Sequence, residues 1–259
     1  MPAFDRYIGI DYSGASTPTS SLKGLRVYMA EVSRAAAEVH PPPGRLKYWT
    51  RRGTAEWLVE RLTEKCATLV GMDLSFSFPQ SYLDAHRLAY DWPAFLEDFR
   101  RHWPTDDDDT SVDDVRTGMT GSGAARSGSA RWRRLSEQRV GAKSVFHFDV
   151  QGSVAKSTHS GLPWLRYIRD RSHGRVHFWP FDGWEAPKGR SVVAEVYPSM
   201  WSSQFRRRER TDDQHDAFTV ATWLRDVDKD GSLHQLFRPA LTDAERAVAA
   251  FEGWILGGT

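Results

Sequence analysis

Five acidic residues stand at positions where side-chain direction would gather them. Arg6 to Asp11 predicts a buried strand ending in the polar turn Asp11-Tyr-Ser-Gly14, and Thr68 to Asp73 predicts another apolar strand, again closed by an aspartate. Alternate residues of a strand share a face, so Gly9 lies with Asp11 and Gly71 with Asp73. If the two strands are parallel neighbours, both carboxylates meet at the edge of the sheet where open α/β folds take ligands. A late helix, Asp212 to Leu224, adds Asp213 and Asp216 to the stripe Ala217, Val220, Leu224. Its apolar members should face the sheet, which points the two aspartates at the N-terminal end of the stripe at the same edge. Glu195, inside the apolar strand Ser191 to Tyr197, fits a metal ligand, an acceptor behind the ligands or half of a buried ion pair.

Clustered carboxylates raise one another's proton affinity and cost free energy, and a divalent cation removes that cost. Mg²⁺ or Mn²⁺ held by Asp11, Asp73 and Asp216 would suit this donor set. Two such ions about 4 Å apart can activate water and stabilise the leaving oxygen of a phosphodiester. Taken singly, each acid has a plainer explanation. Asp11 before Ser-Gly makes turn bonds, and Asp212 and Asp213 favour a helix start through the dipole. Only their joint placement argues for a site.

Substrate contacts are expected from Ser13 and Ser75, two residues beyond the strand-closing aspartates, and from Lys143, Lys156, Arg131, Arg133 and Arg134. The basic run with Trp132 in its middle suits a phosphate backbone and a stacked base; a solvated helix face has the same composition.

Over the whole chain, 35 Lys and Arg oppose 34 Asp and Glu, so no global charge marks a polyanion partner and local patches must serve one. A single cysteine excludes an internal disulfide framework and a multi-cysteine metal site. The histidines are not expected to form a zinc site. Charge arrives at Asp5 and Arg6, before any apolar leader, and no run is long and apolar enough for a membrane span, so the expectation is a cytoplasmic protein without membrane contact.

The elements that must position these residues follow from periodicity. Leu25 to Val32 and Leu46 to Thr50 predict two further strands. A helix should follow Thr54, another should run from Asp91 to Trp103, and a last one from Thr242 to Leu256, where Thr242 and Glu245 form a capping box. The first third therefore has the order β-β-β-α-β. Residues 105–130, acidic and then rich in Gly and Ser, are expected to bury little and to form a mobile insertion in a single domain of residues 1–259.

The segments Tyr-Ile-Gly-Ile-Asp11-Tyr-Ser-Gly14, Gly-Met-Asp73-Leu-Ser-Phe-Ser-Phe-Pro79, Gly141-Ala-Lys143-Ser-Val-Phe, Ala-Glu195-Val-Tyr-Pro198 and Asp213-Gln-His-Asp216-Ala are spread over most of the chain. In that order they resemble the ribonuclease H-like superfamily and, within it, an uncharacterised family of predicted nucleases. The resemblance implies a mixed five-stranded sheet flanked by helices, with a large insertion between the fourth and fifth core strands. It implies metal at Asp11 and Asp73, completed by Asp213 or Asp216, and an enzyme hydrolysing nucleic acid. The helix pair at i, i+3 is more similar to the Holliday-junction resolvase branch than to ribonuclease H, which adds a glutamate from its first helix. Glu56, Glu60 and Glu64 are available there, and their pattern singles out none. Two other classes remain open: an actin-like-kinase-related phosphotransferase, whose first strand also ends Gly-Ile-Asp-x-x-Gly, and a nucleic-acid-binding module without chemistry.

Overall fold

The computed structural model describes residues 2–44, 46–150 and 153–258. Strands β1 (Arg6–Asp11), β2 (Arg26–Glu31) and β3 (Arg34–Glu38) open the chain, followed by α1 (Arg51–Thr63) and β4 (Thr68–Asp73). After β4 come α2 (Gln80–Ala85), α3 (Trp92–His102), α4 (Val112–Arg116), α5 (Leu135–Val140) and α6 (Ala155–Arg171). The chain then returns to the sheet through β5 (Val176–Trp179) and β6 (Ser191–Glu195) before α7 (Asp212–Lys229), α8 (Leu233–Leu236) and α9 (Asp243–Glu252). The result is an α/β fold with a six-stranded mixed sheet in the order β3-β2-β1-β4-β6-β5. β2 is antiparallel to both its neighbours, and the remaining pairs are parallel. Among the described residues no helix is long and apolar enough to cross a membrane.

Strand alternation sorts the core into two layers. Ile8, Ile10, Val70, Met72 and Val193 face α1, α3 and α6, whereas Tyr7, Leu69, Val192 and Ala194 face the side of α7. Gly9 and Gly71 lie on the α7 side, and there they decide how closely the helix can sit. A Cβ on Gly9 would fall 2.3 Å from the Ala217 carbonyl oxygen and 2.6 Å from the Ala221 nitrogen. One on Gly71 would fall 2.6 Å from Val220 Cγ1. The helix contributes small residues, Ala217 and Ala221, to the same contact, so backbone meets backbone. Thr211 caps its start, accepting from Gln214 N while Gln214 Oε1 accepts from Thr211 N. Gln214 Nε2 also donates to Glu38, tying this helix end to the sheet's outer strand.

Four expectations are corrected. The third strand is Arg34–Glu38, not Leu46 to Thr50. It is a mostly exposed edge strand built on alanines, which carry little strand preference. Thr50 instead caps α1, accepting from Gly53 N, so that helix begins before Thr54. β5 adds a sixth strand to the expected five, only four residues long. Finally, residues 105–130 are packed rather than bare. Val112 and Val115 are buried in the main core, Thr105 donates to the His159 carbonyl, and Arg126 holds Asp98 of α3 through Nε and Nη2 at 2.6 and 2.8 Å. Six acids and a glycine-rich stretch hid two well-placed valines and a set of ion pairs.

Replacing Gly9 by Ala is expected to cost about 2 kcal/mol or more, because α7 must lift from the sheet. Gly44→Ala, whose methyl would meet nothing nearer than 3.8 Å, should stay within about 0.5 kcal/mol of wild type. Urea unfolding of both variants checks this; an unshifted midpoint for Gly9→Ala would mean that the helix is not seated there.

Candidate metal and phosphate site at the sheet edge

Asp11 and Asp73 are direct register partners at the ends of the parallel strands β1 and β4. Neighbouring strands lie about 4.8 Å apart, and both side chains point to the α7 face, so the two carboxylates sit side by side. The N-terminal end of α7 brings Asp213, in its first turn, and Asp216, in the next, over them. Asp213 reaches furthest: a Cβ placed on Gly24 would lie 3.8 Å from its Oδ2 and 3.4 Å from Ser13 Oγ. The loops that follow β1 and precede β2 therefore close around its carboxylate. All four aspartates are half-buried.

Their electrostatics report the crowding. Burial, then the charges of Asp73, Asp213 and Asp216, push the Asp11 carboxyl well above its usual range, and Arg26 opposes the shift. Asp73 is pushed up to about 8 by burial, Asp216 and Glu195. Asp213 and Asp216 are raised as well, chiefly by burial. Cations rim the cluster. Arg26, opposite Asp11 in the β1–β2 register, pairs with Glu38 at 2.9 Å and lowers Asp11 and Asp213. Lys23 acts on Asp213, and Arg207 acts on Asp216 while pairing with Asp212. Arg207 belongs to the run Arg206-Arg-Arg-Glu-Arg210 immediately before α7, a sequence signal that was there to be seen and that the strand-and-helix pattern passed over.

Glu195 does not join the aspartates. It pairs with Met72 in the β4–β6 register, so alternation puts it on the opposite face from Asp73. There it is half of a buried ion pair. Arg134, fully buried, donates through Nη1 at 2.8 Å to Glu195 Oε2, through Nη2 to Oε1, and through Nε at 2.9 Å to Glu137. The same guanidinium donates to Ser75 Oγ at 2.9 Å and to the Glu252 carbonyl at 3.1 Å. Glu195 also accepts from Phe76 N. The expectations that Arg134 and Ser75 meet substrate, and that Glu195 assists the metal, are corrected: all three are consumed in this network. A buried guanidinium needs such partners, and burial cannot be read from an arginine in a basic run.

The other expected contacts are dispersed. Lys143 lines a cavity of about 40 Å³ with Asp73, Arg134, Glu137 and Glu195, room for water or one ion beside the carboxylates. The Ser13-Gly14 turn abuts α6 so tightly that a Cβ on Gly14 would lie 2.1 Å from the Lys156 carbonyl carbon. That contact places Lys156 beside the edge, where its ammonium pairs with Asp113 at 2.5 Å. Arg131 and Arg133 are exposed, and Arg133 donates to the Ala142 carbonyl.

The donor set fits a divalent cation in kind: hard oxygen ligands, mutual repulsion, and partial compensation by Arg26 alone from the strands. Among the described residues no three His, Cys, Asp or Glu side chains converge as a bound ion would draw them. Mg²⁺ keeps several waters and needs only one or two carboxylates, which the Asp11–Asp73 pair supplies. Compared with known proteins, the chain matches no family model, and no curated protein and no solved structure matches it.

The raised carboxyls make stability depend on pH. Asp73 binds its proton in the folded state up to about pH 8, whereas the unfolded chain releases it near 4. The folded state therefore holds more protons across that interval, and its stability falls as pH rises through it. In metal-free buffer, Asp73→Asn should gain thermal stability over wild type progressively from pH 4 to 8. Parallel melting curves for the two proteins would refute the crowding.

Proposed function

We propose that this chain is a Mg²⁺- or Mn²⁺-dependent phosphodiesterase acting on nucleic acid. The observation that carries the reading is the register pairing of Asp11 with Asp73 beneath Asp213 and Asp216 of one helix turn. Carboxylates of raised proton affinity gathered at a strand edge mark a candidate functional site. The strand order β3-β2-β1-β4-β6, with β2 alone antiparallel and acids closing β1 and β4, supports a ribonuclease H-like arrangement. β5 then lies outside that five-stranded set as an added edge strand.

In this reading Asp11 and Asp73 would hold the cation, Asp216 would complete its shell and Asp213 would assist from the Ser13–Gly24 side. When bound, the cation would supply a water of lowered pKa and positive charge for the leaving oxygen. The chain's own part is to exclude bulk water from half-buried carboxylates and to draw in phosphate. Lys23, Arg26 and the Arg206 to Arg210 run flank the acids for that purpose, with Lys156 on the α6 side. Their charge offsets a carboxylate cluster that would otherwise repel a polyanion.

Asp73→Asn should abolish cleavage of nucleic acid, by about 10³-fold or more, while leaving substrate affinity measured in Ca²⁺ within about threefold. Log affinity should fall with log salt by about 0.7 to 0.9 per phosphate neutralised, and Arg206→Ala/Arg208→Ala should flatten that slope. Binding of single strands, duplexes and branched junctions over a salt series measures both. Absence of binding to all three, together with saturable ATP binding, would replace the nuclease by a phosphotransferase.

A further inference from the structure

The packed insertion encloses a second cavity. About 210 Å³ of space lies among Trp103, Phe146, Phe148 and His159, closed on one side by residues 123–128 and with Arg116 and Arg126 among its lining residues. That volume is smaller than the 300 Å³ or so where drug-sized pockets begin, and it suits a single planar ring system. The walls are aromatic. Trp103 and Phe148 lie in near-parallel planes, 7° apart, and the His159 ring meets both, with centroids 4.5 and 4.6 Å away.

Two polar atoms in this apolar wall lack partners. The indole N–H of Trp103 is buried with no acceptor. His159 is 1% exposed, and its Nδ1 lies 2.9 Å from the Ala155 carbonyl, which can only accept. Nδ1 therefore carries the hydrogen. Burial holds the ring's proton affinity down, to about 3, so the imidazole is neutral and Nε2 is left as an acceptor. No hydrogen bond engages that Nε2 among the described residues. A buried donor left without an acceptor costs free energy unless something completes it, and Trp103 Nε1 is such a donor. The groups facing the imidazole from neighbouring elements include Arg116 of α4, which stacks on Phe148 with its guanidinium 4.5 Å from the ring centre and pairs with Asp113 and Asp149; among the described residues no carboxylate pairs with the imidazole.

The surroundings narrow the ligand. Arg126 comes from the segment over the cavity, and Trp132 of the Arg131–Arg134 run packs against Phe146. Both cavity arginines are ion-paired, Arg126 with Asp98 and Arg116 with Asp113 and Asp149, so a phosphate would exchange with those carboxylates. They stand beside an aromatic slot that offers one donor and one acceptor, the combination that an unstacked base on a phosphate backbone requires. Along α6, His159 lies one turn beyond Lys156, which stands at the carboxylate edge.

We propose that this cavity receives one unpaired nucleobase of a nucleic-acid strand, with His159 Nε2 and Trp103 Nε1 reading its edge and Arg116 and Arg126 meeting the adjoining phosphates. The inference rests on the nucleic-acid reading for the strand, and it adds a place where a base is held outside the stack.

The test compares single-stranded DNA decamers carrying bases with abasic decamers of the same phosphate count, in Ca²⁺, by fluorescence anisotropy. Wild type should bind the base-bearing strand about tenfold tighter than the abasic one, since a stacked base is worth that much. Ala124→Phe, which fills the cavity from an exposed position, should reduce the preference to about twofold or less and leave abasic affinity unchanged. His159→Phe, which keeps the aromatic packing and removes the acceptor, should do the same. Equal wild-type binding of the two strands would overturn the base pocket and leave the nuclease reading standing. No binding of either strand would overturn both. A free mononucleotide that binds as tightly as the decamer and is displaced by Ala124→Phe would assign the cavity to a soluble ligand and overturn the strand.

Discussion

The close approach of α7 to β1 and β4 is the contact on which the site depends. With Cβ atoms at positions 9 and 71 the helix would stand off the sheet, and Asp213 and Asp216 would no longer lie over the strand ends. The two glycines weaken their strands, since glycine loses most conformational freedom on folding. They are tolerated because they allow small residues of the helix to meet backbone. Geometry two residues down each strand thus sets the spacing of the carboxylates above it.

Charge is arranged in two compartments separated by the sheet. On the α7 face, the aspartates repel one another and are answered from the rim by Arg26, Lys23 and Arg207. On the opposite face, one guanidinium serves two glutamates, Glu137 and Glu195, of which Glu195 brings its negative charge near Asp73. That charge is felt by Asp73 at the strand end and helps to hold its proton. The ion pair and the acid cluster are chemically distinct yet coupled through one carboxylate.

Strands with strong alternation and capped helices were legible from residue order. β1, β4 and the start of α7 follow directly from Gly9-Ile-Asp11, Gly71-Met-Asp73 and the Thr211–Gln214 capping box. Periodicity also set the face that Asp11, Asp73, Asp213 and Asp216 each take, but their shared edge depended on β1 and β4 pairing in parallel, which residue order left open. What escaped was set by tertiary context. β3 is an alanine-rich edge strand whose pairing with β2 supplies the preference its residues lack. α6 carries Gly161 and Pro163 inside it, which argue against a helix until the buried faces of Leu162, Leu165 and Ile168 are seen to pack on the core. The face on which Glu195 lies was decided by register with β4, and the burial of Arg134 by helices far away in sequence. Neither is local information.

The Arg134 network also bears on how the fold can be taken apart. This side chain comes from the inserted region between β4 and β6, yet its partners are a sheet glutamate, a serine just after β4 and the carbonyl that ends α9. The same terminal helix returns a carboxylate to Leu135 N, and Ile255 beyond it bridges to Glu195. Insertion, sheet and chain end are therefore one cooperative unit rather than a minimal fold wearing a removable accessory. Trimming the insertion to reach a simpler domain would strand Glu195 in an apolar layer with no countercharge. The lobe that encloses the second cavity is thus inherited with the sheet, and the two can change only together.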